Sequence, residues 1–328
     1  MTDRKGTILV ASLWILSILS IMAVGIGFRT SLEARLSKYN LDRMKSLYLA
    51  RAGSFRSLEA ISADGRDYDS MRECGIMISD EYGPEAGPSV FFSDIRAGDG
   101  TFSVGYTSDK KYYAGMSDEA RRININTAPA AVLERLLGPG NEEVASYVID
   151  WRDTDAITAR GESEDAYYQS LEHPYRCKNG NFLAPEELFM VRGMTPEIFY
   201  NIKEYITVFG EGKININTAP PRVLLASGLS ESTADIITRF RAGPDGIYGT
   251  GDDGIFRSDG NIQNDSIFTG TAAADKETIR NSFTIKSEYF RIESTGRAEN
   301  SKAEKLILAV VQKNAAGGTH PLKSYREY

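Results

Sequence analysis

The chain has 328 residues, 41% of them hydrophobic, which is enough for a packed core and one or two domains. Its formal net charge of −7 and pI near 5.2 argue against an extended phosphate backbone as a partner of the whole surface. Cys74 and Cys177 are the only cysteines and form no C-x-x-C pair, and His173 and His320 each precede a proline, so zinc, thioredoxin-type and histidine-based nucleophilic chemistry have no residues to carry them.

The chain opens with Arg4-Lys5-Gly6 and then runs from Thr7 to Phe28 without a charge or a proline. As a helix this run reaches roughly 30 Å, the hydrocarbon thickness of a bilayer. Apolar residues continue at Phe28, Leu32, Leu36, Tyr39, Leu41, Met44, Leu47, Phe55, Leu58 and Ile61, mostly three and four apart, and the first proline is Pro84. The pattern predicts one long helix, lipid-soluble in its first half and amphipathic in its second. Taken alone, it also fits an unprocessed signal anchor. The flanking cations Arg29, Arg35, Lys38, Arg43 and Lys45 outnumber Arg4 and Lys5, and charge alone would leave the large domain in the cytoplasm.

Arg4-Lys5-Gly6 ahead of Thr7-Ile8-Leu9-Val10-Ala11 resembles the class III signal of type IV pilins and type II secretion pseudopilins. In that family a prepilin peptidase cuts after the glycine and methylates the new amino terminus, which implies Gly6 as the last leader residue and Thr7 as the first mature one. Most members carry a glutamate at the fifth mature position, paired with the terminal amine of a neighbour. This chain has Ala11 there. A lone carboxylate among lipid tails is costly, so under the resemblance a subunit without it has no neighbour to pair with.

Ser62 to Gly100 is rich in Gly, Asp and Pro, with turns at Gly83-Pro84 and Gly87-Pro88 and a short strand at Val90-Phe91-Phe92. Gly100 to Tyr113 alternates through Phe102, Val104 and Tyr106 and reads as a strand that would pack on the helix. Ile123-Asn124-Ile125-Asn126-Thr127-Ala128-Pro129 then recurs unchanged as Ile214-Asn215-Ile216-Asn217-Thr218-Ala219-Pro220. Each copy predicts two short helices, 129–137 with 142–151 and 220–226 with 231–241, and Thr127 and Thr218 are candidate caps. Between the copies, 184–188 and 197–205 read as further helices.

These units resemble helix-hairpin-helix modules, which in many proteins hold the DNA backbone on exposed turn amides. Gly138-Pro139-Gly140 departs from that use: Pro139 donates no N–H, and Glu142 and Glu143 stand where a phosphate would sit. A packing scaffold is the favoured reading, and a membrane-anchored DNA-binding protein of the competence type is the alternative.

The run Asp118 to Pro129, then Asp150-Trp151-Arg152-Asp153-Thr154-Asp155, Glu186-Glu187-Leu188, Val191-Arg192-Gly193-Met194 and Ile214 to Pro220 follow in the order found in the type II secretion pseudopilin K family. The resemblance implies an α+β fold: a pilin-like N-terminal helix on an antiparallel sheet, with a large α-helical domain inserted in the sheet. It also implies a non-catalytic subunit at the pseudopilus tip. The implied partners are the I-class and J-class minor pseudopilins, the major pseudopilin, the prepilin peptidase and the inner-membrane assembly platform, with the C-terminal domain in the periplasm. The expected division is leader 1–6, membrane helix 7–28, helix and first strands 29–122, helical insert 123–280, remaining strands 281–313 and a loose tail 314–328. In a periplasm Cys74 and Cys177 either pair or stay as unrelated thiols.

Two acidic loops are candidate calcium sites. Asp153, Asp155, Glu162, Glu164 and Asp165 cluster before Tyr167-Tyr168, and oxygen-only ligands suit a hard cation. A solvated loop fits the spacing equally, and calcium binding in the family favours the ion. Asp245, Asp252 and Asp253, among the glycines of 243–254, are a second candidate that does not match EF-hand spacing.

Overall fold

The computed structural model describes residues 4–71, 89–108, 111–158, 161, 163–248, 250–314 and 320–328. Cys74, Gly83-Pro84, Gly87-Pro88 and Glu162 fall outside these residues. Helix α1, Arg4–Ala63, is one uninterrupted rod. Its apolar first half is bare along the described length, with Trp14, Ile21 and Phe28 all exposed. The second half buries Ser46, Leu49, Ala50, Ser57, Ala60 and Ile61. The change from one regime to the other follows the sequence, where uniform hydrophobicity gives way to an apolar stripe.

A single helical turn follows, α2 (Ser89–Phe92), where a strand was expected. Phe91 and Phe92 both bury, at 5% and 1% exposure. Successive residues of a strand point to opposite faces, so only a helical turn lets the two rings enter one core. Strands β1 (Ile95–Arg96), β2 (Gly100–Ser108), β3 (Lys111–Ala114) and β4 (Ser117–Asp118) come next. The stretch from Gly100 to Tyr113, read as one strand, is thus a hairpin of β2 and β3.

The helical region contains β5 (Ile123–Asn124), α3 (Ala130–Leu137), α4 (Glu142–Arg152), α5 (Glu164–Gln169), a 3-10 segment Pro185–Met190, α6 (Pro196–Ile202) and β6 (Ile206–Thr207). Its second part contains β7 (Ile214–Asn215), α7 (Pro221–Ala226), α8 (Glu231–Arg241), 3-10 segments Asp259–Asn264 and Ser266–Phe268, α9 (Ala273–Ser282) and β8 (Phe283–Thr284). The chain ends in β9 (Tyr289–Ala298), β10 (Glu304–Gln312) and β11 (Leu322–Glu327).

The main antiparallel sheet has the order β1-β2-β9-β10-β11, with β3 on β2 and β4 on β9. The helical region leaves the sheet at β4 and returns at β9, its hydrogen-bonded neighbour. Phe102, Val104, Phe290, Ile292, Ile307, Ala309 and Val311 point from the sheet into a core shared with α1. Contact is close because Gly296 has no side chain: a Cβ there would lie 2.1 Å from the Ser46 carbonyl oxygen and 2.4 Å from the Ala50 nitrogen. Ser46 Oγ fastens the crossing, donating to the Ala303 carbonyl (2.8 Å) and accepting from the Ala298 N–H (3.1 Å).

Two expectations about the end of the chain change. Phe283-Thr284 does not complete the main sheet; it pairs in parallel with Ile214-Asn215, as Ile123-Asn124 pairs with Ile206-Thr207. Residues 322–327, read as loose from their small and polar composition, form the edge strand β11 along β10. Leu308 and Val310 supply the neighbouring strand, and Arg326 on Glu186 and Arg51 on Glu327 (2.9 Å) hold the C-terminal end of the added strand from its two faces.

Each copy of the duplicated heptapeptide closes one half of the helical region in the same way. Asn126 exchanges two hydrogen bonds with the Phe182 backbone (2.7 and 3.0 Å), and Asn217 does the same with Phe256 (both 2.9 Å). Arg152 at the end of α4 donates to the carbonyls of Ile125 and Ala128; Arg241 at the end of α8 donates to those of Ile216 and Ala219. Thr127 and Thr218 are not helix caps. They lie in the preceding turns, and Pro129 and Pro220 hold the N-cap positions without a side-chain bond.

Candidate metal centre

Asp150 and Asp153 stand one turn apart at the C-terminal end of α4, where positions i and i+3 share a face. A bridge between Ile157 and Ser163 turns the chain back, so that Glu164, the first residue of α5, meets them. One carboxylate oxygen from each of the three lies within 4.8 Å of the others. Asp150 is 8% and Glu164 3% exposed. Asp153 Oδ1 and both oxygens of Glu164 are buried and accept no N–H or O–H hydrogen bond from a described residue, the weak Cys177 thiol being the donor that faces Glu164. Trp151 and Tyr168 pack edge to face behind the group at 5.3 Å.

Burial pushes the Glu164 carboxyl up to about 7, and the charges of Asp153, Asp150 and Asp155 add to the effect. Asp153 is raised first by burial and then by Asp155. The Cys177 thiol, whose Sγ lies 3.5 Å from the Asp150 carbonyl, is pushed up to about 12 by burial and by Glu164. Converging, desolvated and unsatisfied oxygens of one sign are what a hard cation relieves.

The structure sorts the sequence candidates. Asp153 and Glu164 converge, while Asp155 accepts from the Ile157 N–H (2.9 Å) and Asp165 from the Cys177 N–H (2.8 Å), each shaping the loop. Asp150 was not foreseen. Its signal was the helical spacing to Asp153, hidden because Asp150 precedes the buried Trp151 inside α4. In the second loop, Asp245 accepts from the Ile247 N–H (2.7 Å), and Asp252 accepts from Thr250 Oγ1 (2.6 Å) and the Asp245 N–H (3.1 Å). Thr250 Oγ1 also reaches Asp253 at 3.3 Å. Hydrogen bonding to Thr250 holds the Asp252 carboxyl below its ordinary range.

In the hairpin between α3 and α4, the Gly140 N–H donates to Glu142 Oε1 (3.1 Å). The chain's own carboxylate therefore occupies the amide that a phosphate would need.

Residues 116–211 match the family model described as "Type II secretion system (T2SS), protein K". A curated relative, Type II secretion system protein K of Aeromonas hydrophila, is 33% identical over 82 residues, which are 24% of this chain and 25% of that protein. The chain thus spans about a quarter of the length of that relative. Among solved structures, a chain of the GspK-GspI-GspJ complex from the enterotoxigenic Escherichia coli Type 2 Secretion System is similar over 92% of this chain and 99% of its own, with a TM-score of 0.62 and 14% identity. That likeness is one of fold: long helix, antiparallel sheet and added helices. The runs from Asp118 to Pro129, Asp150 to Asp155 and Glu186 to Met194 all fall inside the matched segment, so residues 116–211 carry the likeness to type II secretion system protein K that the resemblance implied.

Proposed function

We propose that this chain is a structural, non-catalytic minor pseudopilin of K class that sits at the tip of the type II secretion pseudopilus, starts its assembly and supports export of folded proteins across the outer membrane. The observation that carries this reading is the protein K match over residues 116–211, which starts at β4 and runs into the helical region set between β4 and β9 of a sheet that grips only the second half of α1. The bare first half is left to the inner membrane and to the helices of other pseudopilins. I-class and J-class subunits are its nearest partners, and the major pseudopilin and the assembly platform follow. Cleavage after Gly6 and methylation of Thr7 precede assembly, and Ala11 marks a subunit with no predecessor. Co-expression with an I-class and a J-class subunit should yield a ternary complex from detergent, with a mature amino terminus at Thr7 by mass spectrometry. An intact leader together with no co-purification would overturn the reading.

Asp150, Asp153 and Glu164 fit calcium: they offer oxygen donors only, and Asp153 Oδ1 and both Glu164 oxygens are buried at the point where the three converge. The ion would neutralise their charge and tie the end of α4 to the start of α5. Titration calorimetry on the full chain should give saturable calcium binding that Glu164→Gln abolishes. No heat at millimolar calcium would remove this site and the second loop together.

A further inference from the structure

Three carboxylates leave the shell of a hard cation unfilled, because calcium takes about six to eight oxygens. The segment that crosses the site, 177–180, holds a further one. Cys177 donates its N–H to Asp165 Oδ1 (2.8 Å), and its thiol lies on the Asp150 carbonyl (3.5 Å) and faces Glu164. At the other end of the segment the Gly180 N–H donates to the Trp151 carbonyl (3.4 Å). Between them, Asn179 Nδ2 donates to the Asp155 carbonyl (2.5 Å). The carbonyls of Trp151 and Asp155 bracket Asp153 in the chain, so Asn179 is laid against the turn that carries it.

These contacts fix the sense of the Asn179 amide. With Nδ2 committed to a carbonyl, the other end of the group is Oδ1, which can only accept. Oδ1 is buried and receives no hydrogen bond, a state it shares with Asp153 Oδ1 and, apart from the thiol, with both oxygens of Glu164. The backbone holds the side chain there: Asn179 has φ 47°, in the left-handed region that asparagine tolerates better than most residues with a Cβ. A buried acceptor without a donor is costly, and a cation is the partner that these acceptors have in common. Cys177 is the other side chain at hand, but a thiol is a soft ligand, whereas calcium takes amide oxygens.

A cavity of about 170 Å³ opens onto Asp150 and Glu164 past Thr158, Ser163 and Arg192. The nearby cations are engaged elsewhere. Arg192 is held between the rings of Tyr147 and Tyr167 (4.7 and 4.5 Å), and Arg152 donates to the carbonyls of Ile125 and Ala128. Neither takes the buried oxygens of Asp153 and Glu164.

We infer that Asn179, through its amide Oδ1, is a fourth ligand residue of the cation site formed by Asp150, Asp153 and Glu164, so that the 177–180 segment is tied through one ion to the end of α4 and the start of α5. The inference rests on the calcium reading of that site. Water entering by the cavity fills the remaining positions.

The test uses the full chain in detergent, with calcium followed by titration calorimetry and terbium as a luminescent probe excited through tryptophan, Trp151 being beside the site. Binding that Glu164→Gln abolishes belongs to this site. Asn179→Gly suits the left-handed backbone and removes the amide, whereas Asn179→Asp keeps an oxygen but loses the N–H that meets Asp155. Asn179→Gly should bind calcium about tenfold or more weakly. Its terbium, from emission lifetimes in light and heavy water, should hold one more water than in wild type. Asn179→Asp should bind at least as tightly as wild type, with the melting temperatures of the metal-free variants confirming folding. Wild-type affinity and hydration in Asn179→Gly, or Asn179→Asp as weak as Asn179→Gly, would overturn the inference and leave the three-carboxylate site standing. No binding by the wild type would remove that site, and the role of Asn179 with it.

Discussion

Glu164 shows how a single side chain couples burial to pH. Its ordinary value is 4.5 and its value in the fold about 7, so the native state holds a proton that the unfolded chain has already released. The stabilising contribution is complete below about pH 4.5 and is lost as pH rises to about 7. Asp69, also pushed up to about 7 by burial, acts in the same direction. Metal-free protein in EDTA should therefore lose stability between about pH 4.5 and 7, by up to about 3 kcal/mol from Glu164 alone. Glu164→Gln should flatten that part of the slope in pH-dependent thermal melts, and calcium should no longer raise its melting temperature. A slope unchanged by the substitution would show that Glu164 is not the titrating group.

At the scale of elements, the crossing of α1 over β9 is set by Gly296. A methyl group there meets backbone atoms of α1 that have no rotamer to yield, so the helix as a whole must lift. Gly296→Ala should cost about 3 kcal/mol, the upper end for overpacking, in thermal unfolding, whereas Gly65→Ala, with open space around it, should be near neutral. The sequence made α1 and the paired helices α3, α4, α7 and α8 legible because their apolar spacing and proline entries are local signals. It did not reveal the partner of Phe283-Thr284, because pairing is a property of the assembled core and not of the strand. The edge strand β11 was hidden for a related reason: its stabilisation comes from β10 and from ion pairs to Arg51 and Glu186, contacts far away in the chain. Among the site residues, carboxylate-rich composition located the loop, but only folding separated the converging Asp150, Asp153 and Glu164 from Asp155 and Asp165, whose oxygens bind backbone.

For the whole molecule, the charges flanking the membrane half of α1 and its proposed function point to opposite topologies. Arg29, Arg35, Lys38, Arg43 and Lys45 favour retention of the large domain, and the pseudopilin reading exports it. A periplasm-dependent reporter such as alkaline phosphatase, fused after Tyr328, should be active; activity only from a cytoplasm-dependent reporter would defeat the secretion assignment.

The seam between α3 and α7 bears on why the helical region holds two halves. Arg135 Nε donates to the Ala226 carbonyl at 2.8 Å, and these residues are 91 positions apart, the same separation as Ile123 from Ile214. Equivalent positions of the two copies therefore touch each other, through equivalent helices. Such a contact is self-complementary, like the interface of a twofold dimer, and it consumes the surface on both sides. Repeats that stack head to tail leave a free end on which an array can lengthen. Here the duplication closes on itself, so a third unit inserted in the chain would find no helix left to receive it.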